Sequence, residues 1–295
     1  MASTSEPPLL SDGRKVWFNT GTSTGFGRCL VSSVLSRGDY VVASARSLES
    51  IQDFPKSDSL RLLQLDVNDG FDAIGLKVDE AVAFWGRIDV LVNNAGTGMK
   101  ALLEEGGSNH FKEQFHTNVF SALDVTNAVL PHMRPRKSGT IVMIGSRSSW
   151  NPEVPGSGAY CASKAALRAI GETLSVELAP FNIRVLIVEP GAFRTNAIFT
   201  QPYFTSNPIP DYDDLRAKSQ AAFEAVRGKQ PGDPAKAMEA VLDVVRGEGR
   251  AKGRSWPTYL PLGEIAEKGI KEKCSRIVGV LDEWADVVRD VNFDS

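Results

Sequence analysis

The rhythm of the sequence limits its fold more than any other feature. Between residues 15 and 260, short apolar runs alternate with longer stretches of helical spacing, and no linker separates them. Residues 15–20 (KVWFNT), 40–45 (YVVASA), 60–65, 88–93 (IDVLVN), 140–144 (TIVMI) and 183–188 read as strands, with a weak seventh at 255–260. Several are continuous apolar runs, as expected of a strand covered on both faces. Helical spacing fills the gaps: 25–37, with Leu30, Val31, Val34 and Leu35 on one side; 72–85; one long helix at about 107–134, stopped by Pro131 and Pro135; 158–179; and about 233–246. This alternation predicts an α/β fold, a single doubly wound sheet of about seven parallel strands with right-handed crossovers.

Flanking and interrupting this core are three other stretches. The expected organisation is an N-terminal tail over 1–13, one domain over 14–263, and a helical extension over 264–295. The tail lacks the basic-then-apolar order of a signal peptide. Inside the domain, residues 191–214 form a long irregular excursion carrying Phe193, Phe199, Tyr203, Phe204 and Tyr212, and the expected substrate loop extends to about 230.

Composition excludes several function classes. Lys+Arg is 33 against Asp+Glu 36, a net charge of −3, which gives no electrostatic footprint for nucleic acid or an anionic membrane. No apolar run is long enough to span a bilayer, so no membrane partner is expected. Cys29, Cys161 and Cys274 are too scattered for a disulfide framework or a zinc site, and His110, His116 and His132 have no i+4 partner, so no metal is expected. A soluble cytoplasmic protein is the expectation.

The first strand runs into Thr20-Gly21-Thr22-Ser23-Thr24-Gly25-Phe26-Gly27 and then a helix. Glycines at such a turn let the backbone approach a pyrophosphate resting on the positive end of the helix. The spacing is neither G-x-G-x-x-G nor a phosphate loop, since no Gly-Lys-Ser/Thr follows. Taken alone, it could be a tight structural turn. Arg46 follows the second strand at once, with no acid at Ser44 or Ala45. A guanidinium there suits a ribose 2′-phosphate and favours NADP(H) over NAD(H). Asp66, with Val67 beside it, closes the third strand, where it could accept from an adenine amino group or cap the next turn.

Tyr160 and Lys164 stand four apart, on one helix face. To act as an acid–base near neutrality a tyrosine must lose about three pKa units from ~10, roughly 4 kcal/mol. An ammonium about 4 Å away supplies about that much at an intermediate dielectric.

Thr20–Gly27, Asn93-Asn94-Ala95-Gly96, Ser146, Tyr160–Lys164 and Pro190-Gly191 fall in order on successive strand ends. Over roughly residues 15–263, the chain resembles the short-chain dehydrogenase/reductase family in its single-domain, Rossmann-type branch. The resemblance implies a tetrad of Asn118, Ser146, Tyr160 and Lys164. Tyr160 would be general acid in reduction and base in oxidation, and Ser146 would stabilise the substrate oxygen. Lys164 would lower the tyrosine pKa and hold the nicotinamide ribose, and Asn118 would position a relaying water. The dinucleotide would meet Gly21, Ser23, Thr24, Gly25, Phe26, Gly27, Arg46, Asp66 and Val67 at one end. Toward the nicotinamide it would meet Asn94, Ala95, Gly96, Tyr160, Lys164, Pro190, Gly191, Phe193 and Thr195.

One departure from the family pattern bears on the serine. Position 147, thirteen before the tyrosine, is Arg147. Ser146, which closes the fifth strand, is the expected residue if the following loop carries one extra position, and Ser148 is the alternative. Trp150, Phe193, Phe199 and Tyr203 are the expected substrate contacts. The expected activity is NADPH-dependent reduction of the carbonyl of a mainly apolar small molecule to an alcohol. Two readings stay open beside it: oxidation of the alcohol, and a non-catalytic NADPH-binding regulator. The resemblance also raises pairing of the 107–134 and 158–179 helices across a two-fold axis, giving a homodimer or homotetramer.

Overall fold

The computed structural model describes residues 13–195 and 201–293; the expected substrate contact Phe199 and nearly all of the N-terminal tail lie outside them. Among the described residues, seven strands form one parallel sheet in the order β3-β2-β1-β4-β5-β6-β7. The strands are β1 (Val16–Asn19), β2 (Tyr40–Ala45), β3 (Leu60–Gln64), β4 (Val90–Asn93), β5 (Gly139–Ile144), β6 (Ile183–Pro190) and β7 (Tyr259–Leu262). The helices are α1 (Gly25–Ser36), α2 (Phe71–Trp85), α3 (Leu103–Phe115), α4 (Ser121–Met133), α5 (Gly158–Glu177), α6 (Asp213–Val226), α7 (Pro234–Arg246), α8 (Glu264–Glu283) and α9 (Ala285–Arg289). None among the described residues is long and apolar enough to cross a membrane.

Alternation along each strand divides the core in two. Val16 and Phe18 face α2, α4 and α5, whereas Trp17 faces α1 and α7 with Val41, Val241 and Leu242. Both faces are therefore dry, which explains the continuous apolar runs.

Three expectations change. The single helix at 107–134 is two helices, because His116–Phe120 forms one turn of π-helix between α3 and α4, and α3 begins earlier, at Leu103. Gly107 takes a left-handed φ of 59° inside α3, and Pro131 lies within α4 rather than ending it. The seventh strand starts at Tyr259, because its register is set by β6 (Leu260 opposite Val188, Leu262 opposite Pro190). The third change is in the expected substrate loop, which past the irregular excursion contains a full helix, α6, whose only buried residue is Ser219.

A buried carboxylate ties the α1 edge to α7. Asp39, 0% exposed, accepts from the Trp17 indole (2.9 Å), the Lys15 amide (3.0 Å) and the Arg246 guanidinium (2.6 Å). Beside it, Arg37 bridges Glu239, Asp243 and Glu248. Removing one partner of such a cluster strands the others without their hydrogen bonds. Asp39→Ala should therefore cost about 2–3 kcal/mol of unfolding free energy, read from urea denaturation, while Lys77→Ala, at an exposed ion pair, should cost less than about 0.5 kcal/mol.

Candidate active site

Strand order reverses between β1 and β4, so their carboxyl ends open a crevice, the place where open α/β sheets bind ligands. The glycine turn and the Asn94–Gly96 segment meet there. Thr20 Oγ1 accepts from the Asn94 and Ala95 amides (3.1 and 3.0 Å), and the Asn94 side-chain amide donates to the Thr20 and Gly21 carbonyls (2.8 Å each). A Cβ on Gly27 would lie 2.4 Å from the Gly21 oxygen and 2.5 Å from Asn94 Nδ2, so only glycine fits. Gly21 also takes a left-handed φ of 68° and lies against Ala95.

Above this knot the N-terminus of α1 is open. Thr24, its capping residue, makes no side-chain cap and is exposed. Ser23, Gly25 and Phe26 are part-buried, and the Phe26 ring meets Phe193 edge-on at 5.3 Å. Arg46 is exposed at the end of β2, and Asp66 lies part-buried just past β3, its carboxylate accepting from the Asn68 amide (3.0 Å) beside Val67. Pro190 ends β6, and the Gly191 amide donates to Leu262 (2.9 Å). Thr195 lies against Gly25, which brings the segment after β6 back to the glycine turn.

The four tetrad positions converge one layer away. Ser146 leaves β5 and sits 8% exposed, with its hydroxyl accepting from the Ser148 amide (3.1 Å) and lying near enough to Tyr160 to bear on its pKa. Tyr160 and Lys164 lie on successive turns of α5, with Nζ 6.0 Å from the phenol ring centroid. Lys164 Nζ donates to the Ile144 carbonyl (2.8 Å). Asn118, in the π-turn, accepts from the Thr97 amide (2.8 Å) and donates to the Thr97 carbonyl (2.9 Å) and Ser163 Oγ (3.0 Å). Ser163 in turn donates to the Tyr160 carbonyl (2.7 Å). Gly96 runs between these groups: a Cβ there would stand 3.1 Å from Asn118 Oδ1 and 3.6 Å from Lys164 Nζ. Ser148 contributes its backbone amide, to Ser146 Oγ.

The expected lowering of the tyrosine pKa is absent in the free protein. Burial pushes the Tyr160 phenol above its ordinary value, with the nearby Ser146 hydroxyl and Arg147 pulling it partly back. Burial also lowers Lys164, to about 8. Spacing on a helix fixes where two Cα atoms lie but not where a four-carbon side chain ends, and this one ends on Ile144.

Trp150 is held on the opposite side of the serine turn. Its indole donates to Glu189 (2.6 Å), which is 0% exposed and also accepts from Ser149 Oγ (2.7 Å). Arg168 stacks over the indole at 4.0 Å, and Tyr259 meets it edge-on at 6.4 Å. Tyr203 pairs with Lys100 through a parallel bridge, and its hydroxyl donates to Ser219 (3.2 Å). Sequence reasoning passed over Thr97, Ser163, Glu189, Arg168 and Lys100. Glu189 had a signal, a lone acid closing an apolar strand, and so did Lys100, a lone cation in an uncharged run.

The short chain dehydrogenase family model matches residues 15–201. The chain belongs to the short-chain dehydrogenase family. It is 33% identical over 241 residues to the oxidoreductase YusZ of Bacillus subtilis (strain 168), covering 78% of this chain and 84% of that one. Among solved structures, a short-chain dehydrogenase from Streptomyces avermitilis superposes with a TM-score of 0.82 at 36% identity, covering 95% of this chain and 100% of the other. A closed serine dehydrogenase complexed with NADP+ superposes with a TM-score of 0.68 at 27% identity, covering 84% and 94%. These similarities make the chain an oxidoreductase of that family and extend its likeness beyond the family segment, across β7.

The Lys164 value carries a stability consequence with a definite sign. Between about 8 (folded) and 10.5 (unfolded) the folded chain binds fewer protons. Buried Lys164 therefore destabilises the protein below about pH 8, and the cost is relieved as pH rises toward 10.5. The gain in stability of Lys164→Met over wild type, as unfolding free energy, should be about 2 kcal/mol larger at about pH 7 than at about pH 9.5, measured by urea titration.

Proposed function

We propose that the protein is an NADP(H)-dependent reductase that converts a small-molecule carbonyl to an alcohol, with Tyr160 as the acid. The observation that carries this reading is the meeting of Ser146, Tyr160, Lys164 and Asn118 beside the switch-point crevice. Their chemistry matches the task. A phenol held protonated by burial, with a serine hydroxyl beside it, can give its proton to an oxygen gaining charge. Ser146 hydrogen-bonds the same oxygen and stabilises that charge. Asn118, fixed at both ends by Thr97, holds Gly96 and the Lys164 side of the site in register.

The residues present fit a 2′-phosphorylated dinucleotide. The open α1 N-terminus receives a pyrophosphate, Arg46 is exposed where a 2′-phosphate would lie, and Asp66 stands where an adenine amino group would. The likeness to the NADP+-bound serine dehydrogenase supports the same cofactor. When bound, the dinucleotide supplies the hydride. Lys164 and the Asn94–Gly96 segment would hold its ribose, and Pro190, Gly191, Phe193 and Thr195 would enclose the nicotinamide end. Trp150 is proposed as a positioning residue for the serine turn rather than as a substrate contact, because Glu189 and Arg168 already occupy both its edge and its face.

Two outcomes test this reading on purified protein with a panel of ketones, aldehydes and quinones. Tyr160→Phe should lower turnover about 10²–10⁴-fold while NADPH still binds, as followed by its fluorescence; a variant with unchanged turnover would defeat the assignment. Arg46→Ala should raise the KM for NADPH about 10–100-fold and leave that for NADH nearly unchanged, the loss of one charge-assisted phosphate contact. Faster wild-type turnover with NADH would overturn the cofactor preference.

A further inference from the structure

The helical extension after β7 starts on the body of the molecule and then leaves it. Its first turns are anchored: Ala266 is 0% exposed, and a Cβ on Gly269 would lie 2.7 Å from Asn151 Oδ1. Lys273 (3.6 Å) and Arg276 both reach Glu153, in the segment between Trp150 and α5. From Cys274 to Phe293, every residue except Ala285 is exposed.

That outer half is apolar along one side. Ile277, Val280, Leu281 and Trp284 stand at i, i+3, i+4 and i+7, and Val287, Val288 and, past α9, Val291 continue the spacing. Trp284 falls between α8 and α9, but its amide still donates to Val280 (3.0 Å) and its carbonyl accepts from Val288 (2.9 Å). These side chains are 47–78% exposed. Together they offer roughly 700 Å² of apolar surface, above what a monomer usually shows and close to the ~800 Å² that each partner gives to a stable interface. Ile277 follows Ala266 by eleven positions and Ile270 by seven, so the stripe continues the side that packs on the body, beyond the body's edge. A helix of this length owes its stability to the packing of such a side.

Charge sets what lies against it. Residues 277–281 carry no charge. Before them stand Lys268, Lys271, Lys273 and Arg276, four cations that share three carboxylates, Glu272, Glu267 and Glu153. After them come Asp282, Glu283, Asp286 and Asp290 against Arg289, a net charge of −3 over residues 282–290. Two copies laid parallel would set acid flank on acid flank. Turned antiparallel about a two-fold axis through the uncharged run, each acid flank meets the other copy's cations while the apolar stripes face one another. The same acid flank repels an anionic membrane.

We propose that the outer half of α8, with α9, is a self-complementary docking surface whose occupant is the same segment of a second copy of this chain, in antiparallel orientation. This surface is distinct from the 107–134 and 158–179 helices whose pairing the family resemblance raised, and it does not depend on the reductase reading.

The test is sedimentation velocity on the full chain from about 0.1 to 100 μM, with folding of each variant checked by far-UV circular dichroism. Wild type should be a dimer or an even multiple of one. Leu281→Glu should halve that mass or weaken association at least about 30-fold, since a two-fold axis counts the change twice. Val176→Glu, on α5 and 74% exposed, should still leave a dimer. Lys268→Glu with Lys271→Glu should weaken association about tenfold, and adding Asp282→Lys with Asp286→Lys in the same chain should restore it. Wild type that stays monomeric throughout, an assembly indifferent to Leu281→Glu, monomers from Val176→Glu, or no restoration by the fourfold charge reversal would each overturn the proposal. Binding of monomeric wild type to phosphatidylcholine vesicles, lost in Leu281→Glu, would overturn it in favour of a lipid surface.

Discussion

The Asn94 side-chain amide gives both its protons to the glycine turn, to the carbonyls of Thr20 and Gly21. That contact depends on Gly27 having no side chain, since a Cβ would take the space of Asn94 Nδ2. It joins the loop after β1 to the loop after β4 at the point where strand order turns back on itself. Two consequences follow from the one knot. The α1 N-terminus is left pointing into the crevice with its cap unfilled, and Gly96 is brought against Lys164 and Asn118. The proposed cofactor platform and the proposed proton-transfer groups therefore share an anchor, and neither can shift without the other.

Most of the fold was legible because the strands are largely apolar: β1, β2 and β4 to β6 are buried on both sides along most of their length, and the edge strand β3 partly so. That rule picked out β1 to β6, with strand ends within a few residues. It failed for α6, which presents a largely polar surface and buries Ser219 among its residues, and so lacks a signal in hydropathy. It also failed for the π-turn. One extra residue per turn leaves the apolar spacing of α3 and α4 nearly intact, so the sequence reads as one helix. The break is visible only where Ser121 bonds back to His116 instead of to Thr117 through its amide.

Within the site, what could be read was local. Tyr160 and Lys164 are one turn apart, and Ser146 closes a strand. The groups that hold them are distant in sequence: Thr97 reaches Asn118, Asn118 reaches Ser163, and Glu189 reaches Ser149 and Trp150. Contacts that span tens of residues follow from topology, which a single sequence fixes only through its strand order.

Glu189 holds the segment that follows β5. That segment begins as a short 3₁₀ turn over Arg147–Ser149. A carboxylate with no solvent contact is costly unless its oxygens are filled, and burial does raise the Glu189 pKa. Each oxygen receives one donor from the turn, Ser149 on one and Trp150 on the other. The turn is thus pinned at its last residue, Ser149, and at Trp150 just after it, while Ser146 is fixed at its start by β5 and by the Ser148 amide. Arg168, one turn beyond Lys164 on α5, then presses on the indole from the far side. The strand that bears Glu189, the turn that follows Ser146 and the helix that bears Tyr160 become one rigid unit. On the proposed mechanism the separation between serine hydroxyl and phenol is what that unit keeps constant. A buried acid at this position is therefore better understood as a geometric constraint on proton transfer than as a contribution to stability.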